Sequence, residues 1–540
     1  MHWTMFLRVV YFASACVALV SNGAAQIFDE RFDDWPVDLK INGTIVAGES
    51  ANAELLQRIV ASQDNPKAIL ITNEMGSAKD AVLHEYHPLC SEIEAMLPDE
   101  FNETHATEVG LLIWHDSRAA NSISRHELER IRPLFAKHIH NGKTLVAIGP
   151  ASRALSQYFV VSVSVGVPSI VPGMNLLPDC VLETSVHKNS VGKQQLLSVL
   201  AAHPRCVGIG LDANTMLILK GRRMQVAGSG QATLLLGGNE RQPVRSHSIT
   251  EPKVRDRSPE NYLVDLTEWR RDGIDRTLEP FPPAEVEKPF VEFGTLMIVG
   301  GGGMPEGLMS QFVESAGGVE NAKLVYVPCE ENERVAPNQS MVATWEKMGV
   351  KHTSFIHTKD RQQANDDEAF LEPLKDATGI WFGGGRQWNL ADSYYGTKAH
   401  QRMKEVLRRG GVVGGSSAGA SIQASYLARA TPIENFKIMA PGYERGGLGF
   451  IRGVAIDQHF TQRRRQADMT QLVNRYPQLL GIGIDESTAI VVRGSVAQVV
   501  GKGKVHFYDR TQKVVPDRPD FLALEEGGSY DLAKRAKFED

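Results

Sequence analysis

Short runs of Val, Ile and Leu recur along the chain, separated by stretches in which apolar residues return every three or four positions. In the second half the order is plainest. Apolar runs at 295–299, 323–328, 380–382 and 411–415 alternate with helical patterns near 305–316 and 341–348. Runs that are apolar at successive positions, and not at every other one, predict strands buried on both faces, so the β-α-β-α order predicts a mostly parallel sheet with helices on both sides. Ligands of such sheets sit at the carboxyl ends of the strands. From 489 to 508 the runs are broken by Gly494, Gly501 and Gly503, which predicts antiparallel strands added at an edge.

The pattern also repeats. Gly208-Ile-Gly-Leu-Asp212-Ala213-Asn-Thr215, continuing to Gly221, Gln225, Gly228 and Gly230, aligns with Gly481-Ile-Gly-Ile-Asp485-Glu486-Ser-Thr488 and then Gly494, Gln498, Gly501 and Gly503, at a constant offset of 273 residues. Each half opens on a similar strand, Gly43-Thr-Ile-Val-Ala-Gly48 and Gly294-Thr-Leu-Met-Ile-Val-Gly300. Two tandem copies of one α/β domain, at 26–238 and 290–512, explain the match. Residues 239–289, rich in Arg, Glu, Asp and Pro, read as a charged linker with a short helix near 261–271, and 513–540 as a loosely packed polar tail.

The first 25 residues differ from the rest. Arg8 precedes an apolar stretch at 9–20, and Gly23 and Ala25 are small residues of the kind a signal peptidase accepts, which predicts a cleaved signal and a periplasmic or extracellular protein. No later stretch has the 18 or so apolar residues of a membrane span. Beyond Cys16, the residues Cys90, Cys180, Cys206 and Cys329 are far apart and form no CxxC pair. Buried free thiols are therefore expected; neither a metal site nor a cofactor site is. With 58 Lys and Arg against 64 Asp and Glu, the net charge of -6 lacks the basic balance of a nucleic-acid protein.

The chemistry concentrates in Gly415-Ser416-Ser417-Ala418-Gly419. This is a G-x-S-x-G pattern between an apolar strand and a helix-compatible run at 418–428, the setting in which a serine on a strained turn lifts its hydroxyl out of the sheet and faces the field of a helix N-terminus. A serine needs a base and an acid to orient that base. His459 ends the apolar run at 451–456, and Glu486 follows the run at 480–484, so both fall at strand ends like Ser417. The chain order Ser, His, Glu differs from the α/β-hydrolase order, where the acid precedes the histidine. Taken singly, His459 reads as a structural histidine and Glu486 as a loop carboxylate; three such residues at three strand ends read as a site.

Four motifs then resemble the cyanophycinase and aspartyl dipeptidase group of serine peptidases, a branch of the class I glutamine amidotransferase-like architecture: Gly383-Gly-Gly385-Arg-Gln387, Gly414-Gly-Ser-Ser417-Ala-Gly-Ala420, Asp457-Gln-His459-Phe460 with Arg463 and Arg465, and Gly481-Ile-Gly-Ile-Asp485-Glu486. The resemblance covers about 290–510 and reaches the first half only through the repeat. It implies Ser417 as nucleophile, His459 as base, Glu486 as its orienting acid, and the N–H groups of Gly385 and Ala418 as oxyanion donors. It implies Gln387, Asp457, Gln458, Arg463 and Arg465 as substrate contacts, with Arg386 departing from the usual Gly-Gly-Asp-Gln loop. Arginine forks suit carboxylates, so the expected substrate is an aspartyl peptide, cyanophycin among them, a polyaspartate with arginine branches.

In the first copy the alignment sets Pro150 at the place of Ser417 and Ala213 at that of Glu486, with His187 near the third position. That predicts a copy without chemistry which occupies the place of a second subunit, making the chain an intrachain pseudo-dimer. A noncatalytic peptide-binding protein of the periplasm is the competing reading.

Overall fold

The run predicted to open the second half, 295–299, lies in the strand Val291–Val299 at the centre of a nine-stranded sheet. In the computed structural model, which describes residues 35–538 apart from 37, 61–66, 91, 119–121, 165–166, 185, 187–190 and 254–255, this sheet runs His352–Phe355, Lys323–Cys329, Gly379–Gly385, Val412–Ser416, Val291–Val299, Thr488–Gly494, Val496–Gly501, Ser529–Asp531 and Ala536–Lys537. The first five strands are parallel and the remainder antiparallel, as the glycine-broken pattern after 489 predicts. Helix Leu308–Ser315 falls within the predicted stretch 305–316, and Ser340–Lys347 starts one residue ahead of the predicted 341–348.

A second, five-stranded sheet lies beyond it: Ala424–Tyr426, Ile451–Gln458, Leu480–Ile484, Val505–Tyr508 and Leu522–Leu524. One continuous apolar core, with Leu296, Ile298 and Phe382 from the first sheet and Ile456, Ile482 and Val505 from the second, joins the two. The sequence predicts one sheet, because runs of four or five apolar residues look the same in either.

The first half has the same plan. Its sheet of Glu92–Met96, Lys67–Thr72, Leu111–His115, Thr144–Ile148, Thr44–Gly48, Thr215–Lys220 and Arg223–Gly228 matches the larger sheet strand for strand in order and direction, with Val264–Asp265 at its far edge. Its second sheet, Ser156–Ser164, Leu177–Glu183, Val207–Leu211, Gln231–Leu236 and Arg245–Thr250, matches the smaller one, with Val167–Pro172 added at the edge.

Three expectations are corrected. The stretch 239–289 is folded: Arg245–Thr250 and Val264–Asp265 join the sheets, and the helix Leu266–Asp275 is buried for most of its length. Its charges are buried because they are paired, Arg270 with Asp179, Arg245 with Asp272 and Arg271 with Asp392. The tail is folded as well, with Tyr530 and Leu532 in the core and strands completing both sheets. The run at 418–428 is helical only over Ala418–Ser421 before it becomes the strand Ala424–Tyr426. The signal predicted over 1–25 lies outside the described residues. Among the described residues no helix is long and apolar enough to cross a membrane, and Cys90, Cys180, Cys206 and Cys329 are buried free thiols.

The two halves meet around Asp392, which accepts from Arg222, Arg271 and, at 3.0 Å, the Tyr443 hydroxyl, while the Arg222 guanidinium lies 4.9 Å above the Trp388 ring. Burial pushes the Asp392 carboxyl up, but Arg222, Arg271 and Lys359 together hold it below the usual carboxylate range.

Candidate active site

The turn that carries Ser417 closes the strand Val412–Ser416. Ser417 has φ 57° and ψ −112°, a left-handed backbone that a serine adopts only under constraint, and the constraint comes from its neighbours. A Cβ on Gly415 would fall 2.3 Å from the Gly419 carbonyl oxygen, and one on Gly419 would fall 2.2 Å from that of Phe382. The two glycines of the pattern are required by this packing. The four-residue helix Ala418–Ser421 brings little macrodipole, so the expected helix field shrinks to the individual N–H groups of its first turn.

His459 and Glu486 arrive from the smaller sheet, at the carboxyl ends of the neighbouring parallel strands Ile451–Gln458 and Leu480–Ile484. His459 Nε2 lies 2.9 Å from Ser417 Oγ, and His459 Nδ1 lies 2.6 Å from Glu486 Oε1. The site thus forms at the junction of two sheets. Like Ser417, His459 sits in the left-handed region, φ 49°, and its backbone is held by a hydrogen bond from its N–H to the Gly300 carbonyl. Burial pushes the imidazole below its ordinary value, the hydrogen bond with Glu486 pulls it back up, and Arg463 pushes it down. A neutral imidazole between a hydroxyl and a carboxylate can take the hydroxyl proton and be stabilised as it does so.

Within the glycine run Gly300 to Gly303, Gly301 and Gly302 face this pair; the sequence names only Gly300 as a strand end, although an unbroken glycine run directly after a strand is a signal. A Cβ on Gly301 would fall 2.4 Å from His459 Cε1, and one on Gly302 would fall 2.5 Å from the Glu486 carboxylate. Both have positive φ. The Ser487 N–H donates to the Gly301 carbonyl at 2.8 Å, and the Glu486 N–H to Gln462 Oε1 at 3.0 Å, which fixes the acid from behind.

The loop Gly383–Gly385 lies against the serine: a Cβ on Gly384 would be 3.5 Å from Ser417 Cβ and 3.6 Å from the Ser416 carbonyl oxygen. Ala418 is the first helical residue after Ser417 and its N–H has no intrahelical acceptor.

The expected substrate contacts divide. Arg463 is exposed beside His459 and has no ion-pair partner among the described residues. The others turn inward, a correction to their assignment. Asp457 is fully buried and accepts from Arg429 Nε at 2.8 Å and Arg465 Nη1 at 2.8 Å; Arg465 also reaches the Gln458 carbonyl at 2.6 Å and Gln458 Oε1 at 3.0 Å. Gln387 is buried and donates through Nε2 to the carbonyls of Ala428, 2.7 Å, and Arg429, 3.0 Å. These groups hold each other because a buried charge or amide left unpaired is costly. Arg429, which completes the cluster, was also missed in the sequence, where nothing links it to a strand end 28 residues away.

In the first half the same elbow is present but belongs to Gly149, not to Pro150. Gly149 precedes the short helix Pro150–Ala154 with φ 70° and ψ −141°, close to the values at Ser417. Strand register sets Glu183 where Asp457 stands, since Glu183 pairs with Gly210 as Asp457 pairs with Gly483. His187 lies outside the described residues. Among the described residues no group of three or more His, Cys, Asp or Glu side chains is arranged to hold a metal ion.

Comparison with known proteins gives the following. The family model described as Peptidase family S51 matches residues 296–500. The cyanophycinase of Geminocystis herdmanii is 30% identical over 204 residues, covering 37% of this chain and 74% of that protein. That of Trichormus variabilis is 28% identical over 215 residues, 38% of this chain and 70% of that protein. A crystal structure of a peptidase from an acI-B1 Actinobacterium aligns at 26% identity with a TM-score of 0.33, over 45% of this chain and 98% of that one.

Proposed function

The chain belongs to peptidase family S51, and on that basis we propose that its second half is a serine-type peptidase that hydrolyses aspartyl peptide bonds through Ser417, His459 and Glu486. The observation that carries the reading is the unbroken line of hydrogen bonds from the Ser417 hydroxyl through both imidazole nitrogens to the Glu486 carboxylate.

His459 Nε2 takes the Ser417 proton as Oγ attacks the carbonyl carbon, and Glu486 stabilises the imidazolium that results. The oxyanion is met by the N–H groups of Ala418 and Gly385, each such donor worth about 3 to 4 kcal/mol of barrier. His459 returns the proton to the leaving amine, and a water deprotonated by the same imidazole hydrolyses the acyl-enzyme. Arg463, the exposed guanidinium beside the imidazole, takes the aspartyl carboxylate. Cyanophycin, the substrate that the relatives' names imply, fits this preference.

The shared strand order of the two halves supports a tandem pair of glutamine amidotransferase-like domains. In this reading the first copy carries no nucleophile, since glycine stands at its elbow, and it takes a second subunit's place. Export to the periplasm or beyond remains part of the proposal, resting on residues 1–25.

A fluorophosphonate probe tests the chemistry: the protein becomes labelled and Ser417→Ala does not. Incubation with cyanophycin and with aspartyl dipeptides, the products identified by mass, tests the substrate. Absence of labelling in a folded protein would return the noncatalytic binding reading.

A further inference from the structure

A cavity of about 950 Å³ opens between the two halves, and one of its walls belongs to the same loops that border Ser417. Gly384 packs against the serine, and Trp388, four residues on, lines the cavity. Cys329 Sγ donates to the Arg386 carbonyl at 2.9 Å between them, and Glu331, two residues beyond Cys329, is again in the cavity wall. The segment 384–388 therefore has the nucleophile on one flank and the inter-half cavity on the other.

The lining carries both signs. The first half contributes Lys220 and Arg223, both exposed, and Asp38, while the second half contributes Glu331, Glu333 and Lys359, whose Nζ lies 5.7 Å from the centre of the Trp388 ring. Arg223 and Glu331 approach to 3.6 Å across the gap with more than half of each side chain exposed, a loose surface pair that a ligand can exchange into. Lys220 has no ion-pair partner among the described residues. A phosphate-rich ligand would meet Glu331 and Glu333 along with the cations, and a purely apolar peptide would leave Lys220 without a partner and make no use of the exposed Arg223–Glu331 pair. A chain that carries carboxylates and cationic groups in turn satisfies both sets.

We propose that this cavity is an exosite, in which the continuing part of a polymeric substrate with alternating carboxylate and guanidinium groups lies against Lys220 and Arg223 while its end reaches Ser417. The inference rests on the peptidase reading and explains why the first half is kept although it has no chemistry of its own, since it supplies the cations that hold the polymer.

The test compares cyanophycin with a two-unit fragment of it, too short to span both places, in the full-length protein and in Lys220→Glu/Arg223→Glu. The KM for the polymer rises on the order of tenfold in the variant while that for the fragment stays within about twofold. Raising salt from about 50 to about 300 mM weakens the polymer reaction more than the fragment reaction in the unaltered protein. Lys220→Gln alone, a milder change at an exposed position, gives a smaller shift in the same direction. Equal changes for both substrates, or none for the polymer, overturn the exosite. Co-sedimentation of Ser417→Ala with polymer granules separates the two readings: binding lost on reversing Lys220 and Arg223 keeps the exosite even if no hydrolysis is found, and binding indifferent to them removes it even if hydrolysis is confirmed.

Discussion

The Gly301 α-carbon faces the His459 ring so closely that there is no room for a methyl group: a Cβ there would fall 2.4 Å from Cε1 and 2.6 Å from Nε2, the nitrogen that meets Ser417. The imidazole is thus positioned from one side by a residue with no side chain and from the other by the Glu486 carboxylate. Two hydrogen bonds fix its tautomer and the glycine fixes its plane.

Gly301→Ala consequently has to push the ring off the serine or shift the loop, and its φ of 94° adds backbone strain. The expected result is a fall in kcat/KM on the order of 100-fold, because displacing a base by about 1 Å forfeits the near-attack geometry. Stability should drop by only about 1 kcal/mol. Hydrolysis of an aspartyl peptide together with the fluorophosphonate labelling rate measures the first, and a denaturant midpoint the second.

Arg463 is expected to shift the acid limb of the pH profile, which burial of His459 sets first. The base must be neutral, and His459 is already below its ordinary value, chiefly by burial and then by Arg463. In the unaltered protein kcat/KM should therefore rise with pH at values below about 6.5. Arg463→Gln removes a positive charge that opposes protonation, so the imidazole gains protons more readily and the limb moves to higher pH. A limb that stays in place, measured on a neutral ester to leave out substrate charge, would show that Arg463 does not act on the base.

How much of this was legible beforehand depends on whether the signal is local. The elbow was legible because Gly415 and Gly419 lie within two residues of Ser417, and the tight contacts that demand glycine are made by the turn itself and by the strand beside it. His459 and Glu486 were legible because each ends an apolar run. Asp457 and Gln458 end the same run, and in a strand buried on both faces nothing marks which polar residue looks out and which looks in; here Arg429, remote in sequence, decides it. The segment read as a linker failed for a related reason. Pattern analysis equates charge with solvent, yet Arg270, Arg271 and Asp272 are buried against partners from across the chain.

The inward cluster has a testable signature. Asp457→Ala leaves Arg429 and Arg465 buried without their shared counter-charge, which should cost about 3 to 5 kcal/mol of stability. Arg463→Gln, at an exposed position, should move the unfolding midpoint by no more than about 0.5 kcal/mol. If Asp457 instead met substrate directly, its loss would depress activity while the midpoint stayed put, and urea unfolding of the two variants beside Ser417→Ala distinguishes the cases.

A buried carboxylate at the corresponding place in the first half should be visible in the pH dependence of stability. Glu183 stands at the Asp457 position, but among the described residues a single cation, Arg153 at 3.4 Å, faces it together with the Val160 backbone, and burial pushes its carboxyl up to about 7 from 4.5. The native chain then holds a proton between those two values that the unfolded chain has released, so stability falls as pH rises through the window and the loss is complete above it. The shift corresponds to a penalty of up to about 3 kcal/mol at pH 8. Glu183→Gln keeps the shape and one acceptor for Arg153 but cannot ionise, so it should match the unaltered protein near pH 4.5, exceed it increasingly up to about 7, and keep that margin at higher pH. A difference that instead narrows with pH would mean that the Arg153 pair outweighs burial, and that Glu183 is a charged partner in the fold, as Asp457 is in the second half.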